Sequence, residues 1–463
     1  MKIEQIYTGC LAEATYFISS GKEAAVVDPL RETNLYIDKL SNKNLQLKYI
    51  FITHFHADFV SGHVDLSRLT GATIVFGPNA IADFDFYLAH DGETFNLGEI
   101  NIKALHTPGH TLESTSFLLY DNQEKEHCIF TGDTLFIGDV GRPDLAVKSN
   151  LSKEDLAKML YKSINEKILT LPDDLIIYPG HGAGSACGKN MSKETSDTLG
   201  NQKKINYALR NGISINEFVN ELTCGLTSPP QYFPVNVQMN KKINTSFEEI
   251  IQKGNTPISP SEFKQLSKKT TIIDCRSPHE FSKGHVPNSL FIGIDGGFAP
   301  WAGTVMKDIR ENVILVVDSD RIKEAITRLA RVGIDNSIGY LDGGIEAWTN
   351  AGYSTEKIRS IEASQFENEL TNNSLIIDVR NISEYDNGHL KQSLFKPLSQ
   401  IQENIKEYNA NESYYIHCQG GYRSMIACSL LKSKGIHNIT DIQGGFVSIN
   451  NNTSLNIIQE ITT

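Results

Sequence analysis

The stretch Thr53–His63, THFHADFVSGH, sets two histidines two residues apart with an aspartate two further on, directly behind the apolar run YIFI at 49–52. On a turn that leaves a strand, His54, His56 and Asp58 can aim their lone pairs at a shared point. The next position, where a further ligand of a two-metal motif would stand, is Phe59, whose ring offers none. The pattern opens as a binuclear motif and closes as one that favours a single metal.

A lone HxH is more often a solvated loop than a ligand set, but three later segments supply matching donors. HTPGHT carries His110, TGDTLF carries Asp133 and YPGHG carries His181, each after an apolar run and beside glycine or proline. Two imidazoles and one carboxylate with open positions form the facial arrangement of non-haem Fe(II) and oxygen chemistry. One iron is therefore expected rather than a zinc pair, with His54, His56, His110 and Asp133 as contributors.

The C-terminal half repeats itself. IIDCRSPHEFSKGHV at 272–286 recurs as IIDVRNISEYDNGHL at 376–390, and LDGGIEAW at 341–348 echoes IQGGFVSI at 442–449. In each copy short apolar runs alternate with helix-like spacing, which predicts two small doubly wound α/β domains with parallel sheets. The second copy contains IHCQGGYRS at 416–424 between a predicted strand and a predicted helix. A CxxGxR turn there directs backbone N–H groups and a helix N-terminus at the sulfur of Cys418, favouring thiolate and cradling a persulfide. Phosphatase loops run one residue longer, CxxxxxR. The first copy reads VVDSDR, with Asp318 roughly at the cysteine's place in a loop about two residues shorter, so it is expected to be a catalytically silent spacer or docking surface.

Composition bounds the rest. At 463 residues the chain is long enough for about three domains. A net charge of -12 argues against nucleic acid or an anionic membrane as partner. The start, MKIEQIYTGC, lacks the apolar core of a signal peptide, and without an 18-residue apolar run the default location is the cytoplasm. Seven scattered cysteines with no CxxC pair read as free thiols. GLTSPPQYFPVNVQMNKKINTS reads as an extended tail running into a linker. The expected domains are 1–250, 258–356 and 360–463.

The metal-ligand segments resemble the metallo-β-lactamase superfamily. Within it, GDxLFxGxxGRxD is matched by Gly132, Asp133, Leu135, Phe136, Gly138, Gly141, Arg142 and Asp144, which is similar to the persulfide dioxygenases. That resemblance implies an αββα sandwich holding one Fe(II) per chain through His56, His110 and Asp133. His54, Asp58 and His181 would be nearby supporting groups, Arg142 would stand at the substrate entrance or lock the metal loop, and His63 would take a surface or capping role. The run GHGAGSACGK at 180–189 is similar to one in persulfide dioxygenases fused to rhodanese domains, which implies persulfide handling by Cys187, read as an accessible thiol beside Lys189. Asp378, Arg380, Glu384 and His389 resemble the rhodanese framework, as do Asp274, Arg276, Glu280 and His285. This implies a sulfurtransferase using Cys418 and Arg423.

The order of parts resembles bacterial multidomain persulfide dioxygenase-sulfurtransferases of sulfide detoxification. The implied chemistry is oxidation of a low-molecular-weight thiol persulfide by O2 to sulfite, followed by sulfane-sulfur transfer from Cys418 to sulfite, giving thiosulfate. A homo-oligomer is implied as well. The alternative is a glyoxalase II-like thioester hydrolase with an appended sulfurtransferase, against which Phe59 counts because such hydrolases usually use a metal pair.

Overall fold

Apolar runs that end at glycine, proline or aspartate become strands, and the helices between them present one apolar stripe each. A computed structural model describes residues 1–147 and 151–459. It divides into two compact units, residues 1–247 with Ala330–Gly333, and Glu248–Leu329 with the residues from Ile334 on.

The first unit holds two six-stranded sheets. One contains β1 (Lys2–Thr8), β2 (Glu13–Ser20), β3 (Glu23–Val27), β4 (Gln46–Ile52), β5 (Thr73–Phe76) and β6 (Tyr87–Leu88) in sequential order. The other contains β7 (Thr94–Leu97), β8 (Ile100–His106), β9 (Thr115–Tyr120), β10 (Glu126–Gly132), β11 (Ile176–Pro179) and β12 (Asp197–Thr198), also in order. Tyr16, Ile18, Val27 and Phe51 from the first sheet share a buried cluster with Ile102, Phe117, Leu119 and Phe130 from the second. Helices cover the outer faces: Tyr36, Leu40 and Leu66 pack on the first sheet, and Ala157, Leu160 and Phe218 on the second. The result is the expected αββα sandwich. His54, His110, Asp133 and His181 all lie just beyond the C-terminal ends of β4, β8, β10 and β11.

The segment expected to be an extended tail is partly helical. Phe233–Met239 forms a helix with Pro234 in its first turn, where proline's missing N–H costs nothing. Proline count misled here because position within the turn decides its effect.

The second unit contains both repeats. The first has β13 (Pro257–Ile258), β14 (Thr271–Asp274), β15 (Leu290–Phe291), β16 (Val313–Val316) and β17 (Ser337–Leu341) in the order β13-β17-β16-β14-β15, all parallel. The second has β18 (Arg359–Ile361), β19 (Leu375–Asp378), β20 (His389–Leu390), β21 (Ser393–Phe395), β22 (Tyr414–His417), β23 (Ile439–Ile442) and β24 (Ile457–Ile458). Its main sheet runs β18-β23-β22-β19-β21, the same order and also parallel, while β20 and β24 pair as an antiparallel ribbon.

Register corrects the alignment of the two copies. Val316 lies opposite Asp274 as His417 lies opposite Asp378, and Leu341 pairs with Ile258 as Ile442 pairs with Ile361. From 316 to 417 and from 341 to 442 the shift is 101 residues in both cases, so the nucleophile turn keeps its length. Val317, rather than Asp318, stands where Cys418 does, and Ile322 stands where Arg423 does. Among the described residues no helix is long and apolar enough to cross a membrane.

Candidate metal centre and sulfur-transfer loop

His54 leaves the end of β4, and its Nδ1 lies 2.9 Å from Thr53 Oγ1. That hydroxyl donates its own proton to Asp28 Oδ2 at 2.7 Å, so Nδ1–H of His54 must be the donor and Nε2 carries a bare lone pair. His110 Nδ1 faces the carbonyl of Arg142 at 2.8 Å, which can only accept, so Nδ1 carries a proton and Nε2 faces the pocket. Both Nε2 atoms approach Asp133 Oδ2, at 3.7 Å from His54 and 3.4 Å from His110. Asp133 Oδ2 is buried and accepts no hydrogen bond.

Three candidate ligand atoms therefore converge in a buried pocket, the donor set of a cation site. Burial and the neighbouring His56 push the His54 imidazole well below its ordinary range, so it stays neutral. The ligand atoms of His54, His110 and Asp133 all lie within 4.8 Å of one another. The resemblance implied His56 beside His110 and Asp133; both His56 ring nitrogens are buried without a hydrogen-bond partner, Nε2 lies 3.1 Å from Asp28 Oδ1, and the ring packs on Phe59 with centroids 4.3 Å apart.

His181 sits between two carboxylates, with Nδ1 2.7 Å from Asp133 Oδ1 and Nε2 2.8 Å from Asp58 Oδ2. Burial opposes its charge, but Asp133 and Asp58 outweigh it and push the imidazole well above its ordinary range. Its two hydrogen bonds link the Asp133 and Asp58 carboxylates and fix the orientation of both. Cys187 completes a second cluster with Asp58 and His181. It is 1% exposed, and burial with Asp58 and Asp133 pushes its thiol well up. Lys189, expected to favour a thiolate there, instead gives its ammonium to the carbonyls of Glu221 and Cys224. The accessible, activated thiol read from the glycine-rich run is thus a buried thiol. His63 is also buried rather than at the surface, with its ring 5.0 Å from that of Phe84, and burial holds it down to about 3.

Arg142 is buried and fully engaged. Its guanidinium grips Asp144 through two bonds of 2.6 and 2.7 Å and donates to the carbonyls of Ala186 and Thr227, while its own carbonyl holds His110. These contacts tie Asp144, Ala186 and Thr227 to the segment whose carbonyl meets His110. Asn240 escaped the sequence reading. Its Nδ2 donates to the carbonyls of His56 and Phe59 at 2.8 Å each, and its Oδ1 accepts from Ser61 N–H at 2.8 Å. It staples the ligand loop from 180 residues away, and only its place just past a helix hints at it. Beside His110 opens a cavity of about 230 Å³ lined by Phe55, Ala57, Ile81, Val237 and Lys241.

In the second repeat Gly421 N–H donates to Cys418 Sγ at 3.1 Å. Gly445, at φ 56°, lets the following turn pass under the nucleophile, since a Cβ there would lie 2.3 Å from the Cys418 carbonyl. Arg423 pairs with Glu384 through two 2.6 Å bonds. Arg380 grips Asp378, donates to the Gly388 carbonyl and lies 3.8 Å above the Phe446 ring. The same frame recurs in the first copy, where Arg276 grips Asp274 and donates to Gly284.

An αββα sandwich with a candidate metal centre, followed by two parallel-sheet units of one shared strand order, defines the class of this protein. The Metallo-beta-lactamase superfamily profile matches residues 8–181, and the Rhodanese-like domain profile matches 259–351 and 362–452. The chain belongs to the metallo-beta-lactamase superfamily, with two rhodanese-like domains fused behind that domain. It is 30% identical over 233 residues to the mitochondrial persulfide dioxygenase ETHE1 of Mus musculus, covering 49% of this chain and 83% of that one. It is 35% identical over 167 residues to a probable hydroxyacylglutathione hydrolase of Schizosaccharomyces pombe, covering 35% of this chain and 59% of that one. The chain thus spans about three fifths of that relative's length. Among solved structures, a metallo-beta-lactamase from Staphylococcus aureus subsp. aureus COL superposes with a TM-score of 0.65 at 29% identity, covering 74% of this chain and 98% of that one.

Proposed function

We propose that the chain is an Fe(II)-dependent persulfide dioxygenase joined to a rhodanese sulfurtransferase, converting a low-molecular-weight thiol persulfide and O2 to sulfite and then to thiosulfate. The observation that carries this reading is the donor set itself: two buried imidazoles and one carboxylate converge, while Phe59 occupies the position from which a further ligand would complete a metal pair. One Fe(II) held by His110, Asp133 and a histidine of the His54–His56 pair would supply the electrons and open positions that oxygen chemistry needs. His181 and the Arg142 carbonyl hold two of those ligands in place. Phe59, fully buried against His56, keeps that side of the centre apolar. The cavity beside His110 would take the persulfide's thiol carrier, with Lys241 as its cation.

Cys418 would carry the sulfane sulfur, with the Gly421 N–H directed at it and Arg423 nearby to favour anions. Fusion raises the concentration of sulfite that the second site meets. The first repeat, with Val317 and Ile322 in place of the cysteine and arginine, has no nucleophile and acts as a scaffold. Cys187 is assigned to the buried hydrogen-bonding surround of Asp133 and Asp58.

The test is oxygen uptake by the Fe(II)-loaded protein given glutathione persulfide or coenzyme A persulfide, with sulfite and thiosulfate quantified beside Cys418→Ser. Uptake by both proteins, with product shifting from thiosulfate to sulfite in the variant, is expected. No uptake, with zinc retained and S-lactoylglutathione cleaved, would establish the thioester hydrolase that the yeast relatives are named for.

A further inference from the structure

Behind Cys418 a chain of short contacts runs into the protein. Sγ lies 3.6 Å from Ser424 Oγ, which donates to Asp441 Oδ1 at 2.6 Å, and Asp441 Oδ2 accepts from Ser360 Oγ at 2.8 Å. Cys418, Ser424 and Asp441 are all buried. A hydroxyl both donates and accepts, so Ser424 has two complementary orientations. With Asp441 ionised, Ser424 donates to it and accepts the thiol S–H. With Asp441 protonated, Ser424 accepts the carboxylic proton and turns its own O–H toward a thiolate. Burial, only partly offset by the Ser424 and Ser360 hydrogen bonds, raises Asp441 to about 6, within reach of a proton at physiological pH.

The silent repeat lacks the whole chain of groups. In the shared register Val317 replaces Cys418, Lys323 replaces Ser424, Tyr340 replaces Asp441 and Pro257 replaces Ser360. A purely structural Ser–Asp pair would have no reason to disappear together with the nucleophile.

We propose that Asp441, acting through Ser424, is a positioning and proton-storing residue: it takes the Cys418 proton when sulfur is loaded and returns it when the sulfur leaves. This rests on the sulfurtransferase reading above. In loading, the Cys418 proton passes to Ser424 while the Ser424 proton passes to Asp441. Sγ bonds to the outer sulfur of the donor persulfide anion, and the donor S–S bond breaks with its electron pair to the departing thiolate. In discharge, sulfite bonds to that outer sulfur, the Sγ–S bond breaks with its pair to Sγ, and the proton returns from Asp441 through Ser424. Loading gives Cys418 persulfide anion, free thiolate and neutral Asp441, whereas discharge gives Cys418 thiol, thiosulfate and ionised Asp441. No external proton or oxidant is needed.

The other titratable or charged groups packed around this pair are accounted for. His417 at the end of β22 is buried and held neutral, and burial keeps Cys428 on the helix Tyr422–Ser433 a thiol. Arg359 on β18 is paired with Glu369, as is the Tyr415 hydroxyl on β22. Arg380 with Asp378 and Arg423 with Glu384 are ion pairs on the side of Cys418.

The test measures kcat/KM for sulfite in the full-length protein without oxygen, at saturating glutathione persulfide, from pH 5 to 9, for wild type, Asp441→Asn, Ser424→Ala and Ser424→Thr. Taking the ratio of wild type to variant cancels the titration of sulfite and persulfide. That ratio should be about tenfold for Asp441→Asn at low pH, as for a modest general acid, and fall toward one as pH rises through the Asp441 titration. Ser424→Ala should behave the same way, and Ser424→Thr should restore the wild-type profile. Circular dichroism and thermal melting establish that each variant is folded. A ratio that stays constant across pH marks a purely structural role and overturns the proposal. Wild type making no more thiosulfate than Cys418→Ser would overturn the sulfurtransferase reading itself, and the proposal with it.

Discussion

Tyr422 Oη donates to the carbonyl of Gly293 at 2.7 Å, tying the residue that follows the nucleophile turn to the neighbouring, nucleophile-free repeat. The ring lies against Phe291 and over Gly296, where an added Cβ would sit 2.3 Å from it. Phe291 N–H also donates to Ser429 Oγ on the helix that Tyr422 starts, so the first repeat braces the second at two points.

Replacing Gly296 with valine should force Tyr422 aside and disturb the loop that holds Cys418. Thiosulfate formation is expected to fall severalfold, while oxygen uptake with persulfide stays at the wild-type rate. Tyr422→Phe, which removes one hydrogen bond worth about 1 kcal/mol, should have a smaller effect on the same assay. Equal thiosulfate yields from Gly296→Val and wild type would show that the brace does not reach the nucleophile.

Asn240→Ala tests the staple on the ligand loop. Three buried backbone groups, the carbonyls of His56 and Phe59 and the N–H of Ser61, lose their partner at once. A loss of about 2 to 4 kcal/mol is expected, read as a lower melting temperature. Iron per chain, measured by plasma mass spectrometry after equilibration with Fe(II), should fall below that of wild type. Unchanged iron content with reduced stability would confine Asn240 to folding.

The β4, β16 and β22 strands were legible because buried strands leave continuous apolar runs, and the repeat was legible because the chain supplies its own comparison. Asn240 was not legible, since its partners lie about 180 residues away in sequence. Cys187 misled because a lysine two residues on looks like a charge partner in sequence, whereas its ammonium turns to other carbonyls. The match of Cys418 to Asp318 failed because length differences between the copies lie before β16 and β22, where only pairing register reveals them.

Phe59→His restores the ligand type that the opening motif lacks. Asp58, His181 and Cys187 already lie within 4.8 Å of one another next to it. Metal content should rise from about one toward two per chain when the variant is reconstituted with zinc. A count that stays at one would mean that the fully buried site around Phe59 cannot turn an imidazole toward those donors, and ligand loss would no longer explain the single-metal site.

His285 gives the first repeat a dependence on pH. Its ring stacks on Phe281 at 3.9 Å, Nδ1 faces the Phe281 carbonyl at 2.9 Å, and burial holds the imidazole down to about 4. The unfolded chain, near 6.5, binds a proton before the folded one does. The stabilisation is therefore fully present above about 6.5 and is lost as pH falls through about 4, amounting to at most about 3 kcal/mol. His285→Gln removes the titration but keeps a donor for the Phe281 carbonyl. The gap in urea midpoint between wild type and His285→Gln should therefore shift against wild type as pH drops from 7 to 4, and a gap constant over that range would show that His285 is not held neutral by burial.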